Sequence, residues 1–99
     1  MDALGLALDV ADEDSMAETM SAVLDRFGRM DCLVNNAAIA VQKPPQDYSV
    51  GEWDQVMGIN LRGVFLCAKA AHPTMAASVG GKVINIGSMT SLFGSDWVA

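Results

Sequence analysis

The sequence predicts an α/β fold, a partial, doubly wound parallel sheet of three strands with flanking helices. Three short apolar runs, at residues 4–8, 31–34 and 83–86, have the length and composition of buried strands. Longer segments with the apolar spacing of helices separate these runs. Continuous apolar strands that alternate with helices are typical of parallel sheets with helices on both faces. The chain is long enough for one small domain, at residues 1–99.

Composition and charge argue against several classes of protein. Apolar residues make up 52% of the chain and charged residues 18%, which is typical of a globular protein. The net charge is −6 and the sequence has no basic cluster, so we expect no nucleic-acid partner. No apolar run reaches the length of about 18 residues that a membrane span needs. The N-terminus lacks the pattern of a signal peptide, so we expect a cytoplasmic protein without a membrane partner.

The sequence offers little cysteine or histidine chemistry. Cys32 and Cys67 lie in apolar runs, so we expect buried free thiols rather than a disulfide. The single histidine, His72, leaves too few ligands for a metal site, and we expect none. His72 also precedes Ser88, which lacks the G-x-S-x-G pattern around a hydrolase nucleophile, so a serine hydrolase is not expected.

The first helix has start and stop signals. Asp12 is expected to cap its N-terminus, because a side-chain oxygen at that position accepts a backbone N–H. Apolar residues then follow at helical spacing on one stripe, from Met16 to Phe27. Gly28 is expected to end the helix, because glycine readily adopts the left-handed conformation found there.

The second helical segment begins with a capping-box pattern at Ser49 and Glu52. Its apolar spacing continues to about Ala71. Pro73 is expected to kink the helix or to end it, because proline lacks the N–H that a helix interior uses.

A polar residue follows or closes each predicted strand. Asp9 follows the first run, Asn35 and Asn36 follow the second, and Ser88 lies just after the third. Because parallel strands share one carboxyl edge, where ligands bind in open α/β sheets, these side chains predict a site at that edge. The alternative is that each residue only forms a turn, as Asp, Asn and Ser commonly do.

Three segments, in this order, resemble the short-chain dehydrogenase/reductase family. Residues 35–38 (Asn-Asn-Ala-Ala) are similar to the Asn-Asn-Ala-Gly signature that follows an apolar strand in that family. Residues 57–65 resemble its next helix, which contains a buried Asn, and residues 81–88 resemble the strand that leads to its catalytic Ser. The resemblance covers essentially the whole chain and implies a Rossmann-like, NAD(P)-binding domain.

The resemblance also implies a reaction and its catalytic residues. The family interconverts alcohols and carbonyls by hydride transfer to or from NAD or NADP, so a small-molecule alcohol or carbonyl is the expected substrate. Ser88 would hydrogen-bond the reacting oxygen and stabilise its developing charge. Asn60 would help to hold a water and a Lys ammonium in a proton relay, with its helix locally distorted.

Cofactor contacts are implied at the polar edge. The segment Asn35, Asn36 and Ala37 would border the adenosine ribose, with Asn36 as the main contact. Asp9, together with the backbone of Val10, would contact the adenine. The alternative for Asp9 is that it only caps the following turn.

The departures from the family pattern predict a central fragment. Ala38 stands where the family usually has Gly. The family's glycine-rich turn would precede Met1, and its Tyr-x-x-x-Lys pair would begin two positions beyond Ala99. We therefore expect the chain to be inactive alone and its full-length parent to be a homo-oligomer. The alternative is a non-catalytic Rossmann-like module that binds a nucleotide or a partner chain.

The same resemblance predicts a folding problem. In the family's strand order, the strand at residues 4–8 pairs with a strand that would precede this chain. It would therefore have no neighbour here, and its backbone groups would lack partners. We expect the isolated chain to be unstable, to aggregate, or to need a partner.

Overall fold

A computed structural model describes residues 2–94 of the chain. Its α-helices and strands are, in chain order, α1 (Glu13–Phe27), β1 (Cys32–Asn35), α2 (Val50–Met57), α3 (Gly63–Ala77), β2 (Lys82–Asn85) and α4 (Thr90–Phe93). A short 3-10 helix (Pro45–Asp47) precedes α2, and a π turn (Gly58–Arg62) joins α2 to α3. The α/β class is confirmed.

The sheet has two strands rather than three. β1 and β2 are parallel, with Cys32 opposite Lys82 and Asn35 opposite Asn85. The prediction of a strand at residues 4–8 is wrong for the described chain. This segment pairs with neither β1 nor β2 and forms no strand. A strand needs a hydrogen-bonded neighbour, and nothing in residues 2–94 supplies one. Leu6 is consequently 45% exposed.

Helix α1 begins and ends as predicted. The side chain of Asp12 accepts a hydrogen bond from the backbone N–H of Asp14 at 3.0 Å. Gly28 has a φ of +75° and donates its N–H to the carbonyl of Leu24 at 2.8 Å. Both ends are therefore fixed by groups that lie within four residues of them, which is why the sequence alone predicted them.

The capping box of α2 is also confirmed. Ser49 Oγ accepts from the N–H of Glu52, and Glu52 Oε1 accepts from the N–H of Ser49, both at 3.0 Å. Lys43 Nζ lies 2.7 Å from the same Glu52 oxygen. The hydrogen bond from Lys43 and the backbone N–H of Ser49 lower the pKa of Glu52 to about 2. The carboxylate therefore stays ionised at the helix end whose dipole favours negative charge.

Helix α3 runs through Pro73 and ends at Ala77, six residues beyond the predicted end at Ala71. Proline in a helix interior costs about 3 kcal/mol. Packing on both sides of it offsets this cost, because Ala71 and Met75 are both buried, at 0% and 7% exposure. The apolar contacts of α3 thus override the local signal.

The described core is small and centres on α3, which packs against both α1 and β1. Its buried apolar residues are Met16, Val56, Leu66, Cys67, Ala71 and Met75. The side chains of β2 are exposed along the whole strand, so the expected helical cover on both faces is absent within residues 2–94. No helix in this part of the chain has the length and apolar character needed to cross a membrane.

The two cysteines differ. Cys67 is buried in α3, and burial raises the pKa of its thiol. Cys32 is exposed, so the prediction for this residue is wrong. Burial alternates along β1, and Cys32 and Val34 lie on the more exposed face. Their face would need a covering layer that the described residues do not provide.

Candidate functional site

The parallel sheet brings two predicted site residues to the same edge. Asn36 follows directly after β1, and Ser88 follows β2 by three residues. The N–H of Ile86 donates to the carbonyl of Asn35 at 3.0 Å, so pairing continues to the point where the strands end. Asn36 and Ser88 therefore leave the sheet at its carboxyl edge, where ligands bind in folds of this class.

A cavity of about 160 Å³ lies beside this edge. Four of the predicted cofactor-binding residues line it, Val10 from one segment and Asn35, Asn36 and Ala37 from another. Its other walls are Leu8, Leu33, Val34, Ile59, Gly63, Val64 and Cys67. Ligand pockets usually measure about 300–1,000 Å³, so this cavity has room for part of a ligand, such as one ring.

An amide pair joins the ends of the two strands. Asn35 Nδ2 donates to Asn85 Oδ1 at 2.8 Å, between residues that lie opposite each other in the parallel register. No sequence pattern singled out Asn85 as a site residue. Both apolar runs carry an asparagine near their ends, but only the register shows that the two side chains meet. Because the Asn35 amide is used in this way, Asn36 is the freer of the two for a ligand.

Asp9 and Ser88 also take part in local turns. Asp9 Oδ1 accepts from the N–H of Ala11 at 3.0 Å, and the N–H of Asp9 donates to Ser15 Oγ at 2.9 Å. Ser88 Oγ accepts from the N–H of Thr90 at 3.2 Å and lies 3.0 Å from Thr90 Oγ1. The turn-forming roles that the sequence left open are therefore present. A carboxylate and a hydroxyl each have further hydrogen-bonding capacity, so a ligand role stays a prediction.

Asn60 lies in the π turn, where the helix is distorted as the resemblance implied. The N–H of Gly63 donates to the carbonyl of Gly58, five residues back, in place of the usual four. The half-buried Asn60 side chain makes two hydrogen bonds to one residue. Its Oδ1 accepts from the N–H of Ile39 at 2.9 Å, and its Nδ2 donates to the carbonyl of Ile39 at 2.8 Å. Asn60 thus fixes the loop that follows Asn35–Ala37.

The other end of the π turn approaches the segment that carries Asp9 and Val10. Arg62 Nη1 donates to the carbonyl of Ala11 at 2.7 Å. At the next position, a Cβ on Gly63 would lie only 2.8 Å from Cγ2 of Val10. The π turn and the first residue of α3 therefore contact the loop that follows Ala37 and the segment that carries Val10.

The sequence profile of the short chain dehydrogenase family matches residues 1–99 of this chain. The chain belongs to the short-chain dehydrogenase family. One relative, a trans-4-hydroxycyclohexanecarboxylate dehydrogenase from Sinomonas cyclohexanicum, is 45% identical over 92 residues, which are 93% of this chain and 35% of the relative. A cyclopentanol dehydrogenase from Comamonas testosteroni is 38% identical over 94 residues, 95% of this chain and 38% of the relative.

A solved structure shares the fold of this chain. The crystal structure of a protein described as a short-chain alcohol dehydrogenase from Sinorhizobium meliloti 1021 superposes with a TM-score of 0.86 at 38% identity. The match covers 92% of this chain and 36% of that protein. This chain therefore spans a little over a third of the length of these short-chain dehydrogenases. The Rossmann-like architecture predicted from sequence is confirmed.

Within this short-chain dehydrogenase fold, we predict that Gly63 is required for the close contact between the π turn and Val10. In Gly63→Ala the new methyl group would meet Val10 Cγ2 at 2.8 Å and Val10 Cβ at 3.2 Å. Overpacking of this kind costs about 1–3 kcal/mol, of which about 1 kcal/mol is regained from helix propensity. We therefore expect Gly63→Ala to lower the free energy of unfolding of the complete polypeptide by up to about 2 kcal/mol, measured by denaturant titration.

Gly58 provides a matched control, because its backbone angles (φ −59°, ψ −42°) are nearly those of Gly63 (φ −59°, ψ −41°). A Cβ on Gly58 would meet nothing within 4 Å. Gly58→Ala is therefore expected to leave stability unchanged or to raise it by up to about 1 kcal/mol. Equal effects of the two substitutions would contradict the close-contact argument.

Proposed function

We propose that this chain is the central part of an NAD(P)-dependent oxidoreductase that interconverts an alcohol and a carbonyl by hydride transfer, and that it is inactive alone. The observation that carries the proposal is the parallel register of β1 and β2, which brings Ser88 to the same edge of the sheet as Asn36, a residue that lines the cavity. Membership in the short-chain dehydrogenase family supports the reaction class. When bound, a nicotinamide cofactor would supply the hydride acceptor or donor.

The residues at the cavity fit the adenosine end of such a cofactor. Val10 and Asn36 both line the cavity, and Asn36 is exposed at its rim. We propose that Asn36 contacts the ribose, with Asn35 and Ala37 shaping the rim through their backbone. Asp9 and the backbone of Val10 would lie at the adenine edge.

We propose that Ser88 and Asn60 serve the chemical step. An alcohol that is oxidised loses a hydride from carbon and a proton from oxygen, and becomes a carbonyl. A hydroxyl donor at Ser88 would stabilise the charge on that oxygen. The side-chain amide of Asn60 already makes two hydrogen bonds to Ile39. Asn60 would therefore act in a relay through the second N–H of that amide, the second lone pair of its oxygen, or the backbone carbonyl of the residue.

Small alcohols or carbonyls are the proposed substrates. Two of the relatives are dehydrogenases of ring alcohols, cyclopentanol and trans-4-hydroxycyclohexanecarboxylate. Secondary alcohols on saturated rings are therefore the first compounds to test. A cytoplasmic location and a homo-oligomeric parent stay predictions.

The test compares the complete polypeptide that contains this chain with the 99-residue chain alone. Each is incubated with NAD or NADP and a panel of cyclic and linear secondary alcohols, and absorbance of the reduced nicotinamide is followed. We expect turnover by the complete polypeptide and none above background by the 99-residue chain. Nucleotide binding without turnover by the complete polypeptide would favour the non-catalytic alternative. Ser88-dependent turnover by the short chain would contradict the prediction that it is inactive alone.

A further inference from the structure

The guanidinium of Arg62 makes a long-range contact that no local sequence pattern accounts for. Its Nη1 donates to the backbone carbonyl of Ala11 at 2.7 Å, between residues 51 positions apart in the chain. A hydrogen bond from a charged donor to a carbonyl is stronger than one between neutral groups. The contact therefore holds the segment before α1 against the π turn.

The segment held by Arg62 is the one that carries Asp9 and Val10. The N–H of Ala11 donates to Asp9 Oδ1 at 3.0 Å, and the N–H of Asp12 donates to the Asp9 carbonyl at 3.1 Å. Residues 9–12 therefore form one hydrogen-bonded turn. Fixing the carbonyl of Ala11 fixes the position of this turn relative to the cavity.

The absence of a Cβ at Gly63 lets the same turn approach the helix. The ideal Cβ position of Gly63 lies within 3.4 Å of the Val10 carbonyl oxygen as well as near its side chain. In the middle of the π turn, Asn60 holds Ile39 through two hydrogen bonds. One short helical distortion thus holds both the loop that follows Ala37 and the turn of residues 9–12. Within residues 2–94, Arg62 provides the only side-chain hydrogen bond from the distortion to Ala11.

We propose that Arg62 is a positioning residue for nucleotide binding, because it preorganises the turn of residues 9–12 at the adenosine end of the cavity. The inference rests on the proposed function and adds a residue that the family resemblance did not assign. Arg62 acts through the Ala11 carbonyl and does not itself contact the nucleotide. Without this contact, part of the binding free energy would go into ordering the turn.

The experiment uses the complete polypeptide and three variants. Arg62→Met keeps the length of the side chain but removes its donors, and Arg62→Lys keeps the charge and one donor group. Arg29→Met is the matched control, because Arg29 is exposed, pairs with Asp31 and precedes β1 at the opposite edge of the sheet. It removes the same charge without touching the turn.

Two measurements are made on each protein. Calorimetry gives the dissociation constants for adenosine monophosphate, for nicotinamide mononucleotide and for NAD or NADP. Hydrogen exchange gives the protection of the Ala11 and Asp12 amides, which are bonded within the turn. For Arg62→Met we expect adenosine monophosphate to bind about tenfold more weakly and both amides to exchange faster.

For Arg62→Lys we expect intermediate values, and for Arg29→Met wild-type values. The affinity for nicotinamide mononucleotide is expected to be unchanged in every variant, which a general loss of structure would not produce. If the wild type binds nucleotide and Arg62→Met binds it equally well, the positioning role is refuted while the proposed function stands, whatever the exchange data show. If the wild type binds no nucleotide at all, both proposals fail.

Discussion

Replacing Ser88 by alanine in the complete polypeptide is expected to lower kcat by about 100-fold or more. The physical reason is that a hydroxyl at the carboxyl edge of β2 would donate to the oxygen on which charge develops. Loss of a donor aimed at such an oxygen costs a similar factor in other enzymes. Substrate binding depends on many contacts, so KM is expected to change much less. Steady-state kinetics with saturating cofactor gives both constants.

Ser88 also forms a turn, and the effect of losing that turn must be distinguished from the effect of losing the proposed donor. Ser88 Oγ contacts the N–H and the hydroxyl of Thr90, so Ser88→Ala also removes interactions at the start of α4. Thr90→Val removes the hydroxyl contact but keeps Ser88, and Ser21→Ala removes an exposed hydroxyl from α1. We expect kcat within about threefold of the wild type for both, since neither change removes the Ser88 hydroxyl that we propose as the donor to the reacting oxygen. A similar loss in Ser88→Ala and Thr90→Val would assign Ser88 to the turn alone.

Elements whose limits are set locally were predicted from sequence. Asp12 and Gly28 delimit α1 through bonds to residues at most four positions away, and Ser49 and Glu52 cap α2 in the same way. Propensity and capping act within one helical turn, so the sequence contains the whole signal.

Elements that depend on distant partners were predicted less well. Residues 4–8 have the composition of a buried strand, but a strand also needs a neighbour, which the described chain lacks. Pro73 was expected to disturb α3, yet the burial of Ala71 and Met75 holds the helix together through it. In both cases tertiary context decided the outcome against the local pattern.

The candidate site shows the same division. Its edge could be predicted, because parallel strands place their carboxyl ends together whatever their register. Its internal contacts could not, because Asn35 meets Asn85 across 50 residues and Asn60 meets Ile39 across 21. Nothing in the sequence indicated that Arg62 contacts Ala11, since an arginine on a helix usually faces solvent.

Much of the apolar surface of the described chain is exposed. Six apolar residues are buried in residues 2–94, whereas Leu4, Leu6, Val34 and Ile86 are 43–57% exposed. The radius of gyration is 15.7 Å, compared with about 13 Å for a compact domain of 100 residues. The fold therefore leaves unpaired sheet edges and apolar surface that are characteristic of aggregation-prone states.

We accordingly expect the isolated 99-residue chain to show no cooperative thermal transition, to bind a hydrophobic dye strongly and to aggregate at micromolar concentration. Calorimetry, dye fluorescence and light scattering measure these properties, with the complete polypeptide as the folded reference. Leu6→Lys is a matched variant, because Leu6 lies outside every helix and strand. It should reduce aggregation without lowering helix content, whereas Leu66→Ala, at a position only 5% exposed, should lower helix content. A single cooperative transition of the wild-type monomer would contradict this prediction. It would mean that α1, α3 and the two-stranded sheet are sufficient to fold, although the backbone of residues 4–8 is unpaired.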